Sequence, residues 1–180
     1  MIYSYDQCLK KYNTDYKIKK QLASGELFKL EAGIYSDEQY VPEIAIINFK
    51  YPKGILTLNS AFYYHNLTDT IPNKYYLITD KDSSKIKDSR INQSFENSDY
   101  LELGAEDTMV DGVSVKMYNK ERMLVELIRN KSKFPFDYYK ELINSYRKII
   151  NNLDIQTIQE YTYLLPKTNT VIEALELEVF

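Results

Sequence analysis

A chain of 180 residues, 44% hydrophobic and 27% charged, is long enough for one domain or one domain with a small appendage, and too apolar to be disordered. A formal charge of −3 excludes bulk attraction to polyanions, so any contact with nucleic acid has to come from a local patch. A single cysteine, Cys8, excludes an internal disulfide and fits a reducing compartment. The opening Met1-Ile2-Tyr3-Ser4-Tyr5-Asp6 has no signal-peptide pattern, and no apolar run approaches the roughly 20 residues of a membrane span. A cytoplasmic protein with no membrane partner is expected. The 18 tyrosines, with no tryptophan, read first as half-buried rings with hydrated hydroxyls and only secondarily as stacking platforms.

In chain order, Ser4 and Gln7 stand in capping-box spacing and predict a helix over 5–12, broken by Asn13. Thr14 caps a second helix over 15–23, with Asp15 in its first turn and Ser24-Gly25 at its end. Two β-like pieces follow, 27–30 and 34–36, joined by Glu31-Ala32-Gly33. Helix, turn, helix, hairpin is the order of a winged helix-turn-helix that lacks its first helix. Beyond Asp37, Pro42 suits position N1 of a helix carrying Ile44, Ile47 and Phe49, which Pro52-Lys53-Gly54 stops. A strand at 55–58, a short helix capped by Asn59, a strand at 75–79, a charged loop at 80–88 and an edge strand at 91–95 come next. Asp111-Gly112 between Val110 and Val113 is a two-residue hairpin signal. From Asn119 the chain reads as helical: Leu124, Leu127 and Ile128 share one face, Phe136, Tyr139, Ile143, Tyr146 and Ile150 another, and Pro166 separates the last two helices. The expected class is α+β: a truncated winged helix-turn-helix over 1–37, then over 38–180 an α+β domain with a small, mostly antiparallel sheet and a helical C-terminal part.

Catalytic chemistry finds few candidates. The one histidine, His65, sits in Tyr63-Tyr64-His65-Asn66 and reads as structural, and nothing local prepares Cys8 as a nucleophile beside it. Two Cys or His residues are too few for zinc. Asp80, Asp82, Ser84 and Asp88 imitate a calcium loop, but Lys85 and Ile91 stand where its glycine and closing glutamate belong. The five glycines form no phosphate-cradling loop. No catalytic residue, metal or cofactor is expected.

Cationic chemistry is better represented. Lys10, Lys11, Lys17, Lys19 and Lys20 cluster in the first two helices, and Lys29 lies on the hairpin. Ammonium groups so placed can contact phosphates and release counterions, and Asn13, Thr14, Asp15, Tyr16 and Lys17 near the start of the second helix are candidates for the major groove. The same lysines read equally well as a solvated face.

Three stretches carry a family resemblance. Gly25-Glu26-Leu27-Phe28-Lys29-Leu30-Glu31-Ala32-Gly33-Ile34-Tyr35, then Ser60-Ala61-Phe62-Tyr63-Tyr64-His65-Asn66-Leu67 followed by Ile71-Pro72, then Asp111-Gly112 leading into Glu121-Arg122-Met123-Leu124-Val125-Glu126, resemble in order the blocks of AbiEi-like antitoxins of type IV (abortive infection, phage defence) toxin–antitoxin systems. The resemblance implies a DNA-binding autorepressor of its own operon with the recognition helix at 15–23 and the wing at 27–35. It also implies a second domain that counters a nucleotidyltransferase-like toxin without a tight, permanent complex. Double-stranded DNA and that toxin are the implied partners, and a homodimer is compatible with them. Glu121 and Arg122 read primarily as helix-start and packing residues, and Ser60 as local helix-start chemistry. The alternative is a non-catalytic interaction module whose vestigial winged helix does not bind DNA.

Overall fold

The computed structural model describes residues 1–180, which divide into two compact units, Met1–Pro52 and Lys53–Phe180. In the first unit, strand β1 (Ile2–Ser4) leads directly into helix α1 (Tyr5–Tyr12). The Ser4 hydroxyl accepts from the Gln7 amide at 3.2 Å while Gln7 Oε1 accepts from the Ser4 amide at 2.7 Å, so the expected capping box forms. Asn13 ends α1 in the left-handed region at φ +68°. Thr14 Oγ1 then caps α2 (Asp15–Ser24) by accepting from the Lys17 amide, and Gly25 closes it at φ +74°. Strands β2 (Phe28–Glu31) and β3 (Ile34–Ser36) form the hairpin. The three-stranded antiparallel sheet runs β1-β3-β2. Cys8, Ile18, Leu27 and Tyr35 make the core of this unit, with Tyr3, Leu9, Tyr12 and Leu22 packed around it.

Helix α3 (Glu43–Lys50) follows, and Pro42 is its N-cap rather than its first residue, since ψ 139° keeps that proline outside the helix. Lys50 pairs with Glu31 on β2 at 3.0 Å, with both side chains about three-quarters buried. This contact ties α3 to the hairpin within the first unit, which runs to Pro52 where a division after Asp37 was expected.

The second unit holds a five-stranded sheet in the order β6-β5-β4-β8-β7, built from β4 (Ile55–Leu56), β5 (Tyr75–Asp80), β6 (Ile91–Glu96), β7 (Ala105–Val110) and β8 (Val113–Tyr118). Strand β6 lies at an edge, as its sequence implies. The sheet is mixed, not mostly antiparallel. The β4/β5 and β7/β8 pairs are antiparallel, while β4/β8 and β5/β6 are parallel, because the charged segment after β5 carries the chain back to the same end before β6 starts. Asp111 and Gly112, at φ +49° and +79°, supply the two left-handed residues of the β7–β8 turn. Helix α4 (Leu58–Tyr64) begins one residue before the expected cap: Thr57 is the N-cap, Asn59 lies within the helix, and Leu58 is held at φ +42°. A short helix, α5 (Ser98–Leu101), precedes β7.

Four helices complete this unit: α6 (Lys120–Arg129), α7 (Phe136–Ile149), α8 (Ile155–Leu164) and α9 (Thr168–Ala174), the last continuing into a π turn over Leu175–Val179. Leu124, Leu127 and Ile128 are buried, and so are Met123 and Val125, so α6 is enclosed on all sides. Tyr139, Ile143 and Tyr146 form the inner face of α7. Phe136, expected among them, is 67% exposed because it sits in the first turn, ahead of the packed stretch. The class is α+β, and no helix is long and apolar enough to cross a membrane.

Gly104 sits at φ +76°, and a Cβ there would lie 2.7 Å from Arg122 Cβ; Gly33, at φ +75°, faces open space. Gly33→Ala is expected to cost about 1 kcal/mol from backbone conformation alone. Gly104→Ala adds the displacement of a buried side chain and should cost roughly 2–4 kcal/mol. Urea unfolding followed by circular dichroism compares the two.

Candidate functional site

The expected cationic site lies on α1, α2 and β2, and its residues differ in how available they are. Ile18 is buried and Leu22 half-buried, which turns the opposite side of α2 to solvent. By helical spacing Tyr16, Lys17 and Lys20 share that outer side. Tyr16 is 77% exposed, and neither lysine makes an ion pair. Asp15 also lies at the start of α2, and Lys19 reaches back one turn to it at 2.8 Å. Lys19 is thereby partly neutralised, while the Asp15 carboxyl is held below its ordinary range by that ammonium.

Lys11 turns toward the strand that the sequence did not predict. Its Nζ donates to the Tyr3 hydroxyl at 3.0 Å and lies 4.4 Å from the Tyr3 ring centre; that hydroxyl in turn donates to Asp37 at 2.9 Å. No periodic pattern marks Tyr3 as a neighbour of this set, since β1 is only three residues long. Lys10 is exposed at the end of α1, and Lys29 is exposed on β2, opposite Tyr35 on β3. Asn13 and Thr14 form the turn between the helices; the Thr14 hydroxyl is already engaged as a cap, and Asn13 is exposed. The most available part of the expected set is thus Tyr16, Lys17 and Lys20. The first unit as a whole carries seven lysines against seven carboxylates, so its cationic character is confined to this face.

In the second unit, His65 caps α4, and its Nε2–H donates to the Tyr118 carbonyl on β8 at 2.7 Å. Burial pushes its pKa down, which keeps the ring neutral. Cys8 is fully buried in the core of the first unit, and its thiol is pushed up by desolvation, the opposite of activation. Two of the carboxylates of the 80–88 loop are used locally: Asp80 accepts from the Asp82 amide and the Ser98 hydroxyl, and Asp88 pairs with Arg90. Ser60 Oγ accepts from the Tyr76 amide at 2.9 Å, joining α4 to β5.

The Glu121-Arg122 pair divides its work. Glu121 accepts from the Asp154 amide at 3.1 Å ahead of α8. Arg122 is entirely buried. Its Nε donates to Glu126 at 2.9 Å, one terminal nitrogen donates to the carbonyls of Tyr100 and Leu103, each at 3.1 Å, and the other donates to Glu96 at 3.3 Å. The guanidinium also lies 4.6 Å from the Tyr118 ring centre. Arg129 reaches the same two carboxylates, Glu126 at 2.5 Å and Glu96 at 3.5 Å. The sequence marks Arg122 as a helix-start and packing residue; it does not reveal that Arg122 and Arg129 share two carboxylates, one on β6 and one on α6.

Set against models of known protein families and against curated proteins, the chain matches none.

Arg122→Met should destabilise the protein by about 3–5 kcal/mol, because it leaves two carboxylates buried with one cation; chemical denaturation reads this. His65 gives a pH signature. Its folded pKa lies below the ordinary value of about 6.5, so on acidification the unfolded chain takes up a proton that the folded chain refuses. The contribution of His65 is complete above about pH 6.5 and is lost as pH falls through the lowered folded value. His65→Gln should flatten that part of a melting-temperature profile between about pH 7 and 5.

Proposed function

We propose that this protein is a DNA-binding antitoxin and autorepressor of the AbiEi-like kind, whose first unit is a shortened winged helix. The single observation that carries the reading is the connectivity of that unit. A strand, two helices separated by a two-residue turn and a hairpin follow one another, with the first strand paired to the last. That arrangement supports α2, with Tyr16, Lys17 and Lys20 outward, as the recognition helix, and β2 and β3 as the wing bearing Lys29. Lys17 and Lys20 would contact phosphates, while Tyr16 and Asn13 would face the groove. The second unit is then the part that counters a nucleotidyltransferase-like toxin, with no reaction of its own.

One observation favours the rival reading of an interaction module that does not touch DNA. Lysines and carboxylates balance in the first unit, and Lys11 and Lys19 are turned to internal partners. Electrophoretic mobility shift on a duplex from the protein's own upstream region separates the two. Binding should weaken steeply with salt, and Lys17→Ala/Lys20→Ala should reduce it. The slope of log K against log salt should flatten by about 1.8 in that variant, since each phosphate left without its ammonium accounts for about 0.9. Absence of a shift at low salt, with the protein still countering its toxin, would favour the interaction module.

A further inference from the structure

We propose that the second unit binds a small phosphate-bearing ligand, of the size of a nucleoside monophosphate, in a pocket that the function above does not use. The pocket, about 250 Å³, opens between Leu58 at the start of α4, Ser94 to Glu96 on β6, the end of α6 and Lys167 ahead of α9. This is just below the roughly 300 Å³ at which the usual range of small-molecule sites begins.

Charge decides the class of ligand. Glu96 and Glu126 line the pocket, but they face two guanidiniums, those of Arg122 and Arg129, within 2.5 to 3.5 Å, so this part of the wall is neutral as a set. Two ammonium groups remain. Lys133 is exposed and makes no ion pair, and Lys167 has only a carbonyl partner, that of Arg129 at 2.6 Å. The excess is therefore cationic, which suits a dianion. Phe95, 47% exposed on the edge strand, offers an apolar surface beside these charges for a ring or sugar.

The backbone gives an independent sign. Leu58 and Lys167 both line the pocket, and both are non-glycine residues in the left-handed region, at φ +42° and +71°. Such conformations persist where surrounding structure enforces them, and they cluster at ligand sites.

The test uses the full chain, with thermal unfolding and calorimetric titration against 5′-AMP, inorganic phosphate and adenosine. At AMP about tenfold above Kd, the melting temperature should rise by roughly 3–6 °C; phosphate should give a smaller rise and adenosine none. Lys133→Ala/Lys167→Gly should weaken binding at least about tenfold, as expected for removing two charge-assisted hydrogen bonds. That variant spares the fold, since Lys133 is exposed and glycine relieves the left-handed backbone at 167; Lys133→Ala alone serves as a second, milder variant. Lys17→Ala/Lys20→Ala should leave the ligand effect unchanged, which separates this site from the proposed DNA face. The proposal is overturned by any of three results: no effect of either anion up to about 10 mM, undiminished affinity in the double variant, or loss of the effect in the α2 variant. Binding of an acidic peptide in place of both anions would also overturn it, because the pocket would then be a protein contact.

Discussion

The second unit is organised around one fully buried guanidinium. Arg122 could occupy an apolar interior only with its donors satisfied, and its partners come from α6 itself, from β6, from α5 and from the residues that follow α5, while Tyr118 on β8 stacks against it. A buried ion pair is weak evidence for net stability, because desolvation opposes the Coulombic gain. Its consequence is geometric. A shift of β6 or of the 100–103 carbonyls would leave a charge unpaired in low dielectric, which opposes any sliding of the edge strand past the enclosed helix. Gly104 belongs to the same constraint: its left-handed backbone and missing Cβ admit the Arg122 side chain, and its carbonyl accepts from the amide of Asn119, which caps α6.

Local signals in the sequence translated well into structure. Ser4 with Gln7, Thr14 and Gly25 delimit the first two helices as expected, and Asp111-Gly112 makes its turn. Each of these depends on residues within one turn of chain. Features set by distant partners were not legible. Strand β1 exists because β3, some thirty residues on, pairs with it. Thr57 displaced Asn59 as cap because β4 ends at Leu56, sooner than its apolar run implies. Phe136 matches the inward period of α7, yet lies one turn before that helix packs. The parallel pairing of β5 with β6 depends on the path of a loop whose composition records only that it is solvated.

The candidate sites divide the same way. A run of lysines with helical spacing is visible in one dimension, but which of them remain free is not: Lys19 is claimed by Asp15 one turn back and Lys11 by Tyr3 on the preceding strand. The pocket of the second unit assembles Leu58, Phe95, Arg129 and Lys167, residues with no common motif. The first unit presents a small cationic helix face, and the second a pocket lined by Arg129, Lys133 and Lys167 together with Glu96 and Glu126.

Whether the outer side of α2 is a DNA-contacting surface can be read residue by residue in solution. Amide and tyrosine-ring NMR spectra of isotope-labelled full-length protein, titrated with a duplex from its upstream region, should show perturbations centred on Asn13, Tyr16, Lys17, Lys20 and Lys29, with the signals of residues beyond Lys53 unmoved. Perturbations concentrated in the second unit, or none at all at low salt, would contradict the assignment.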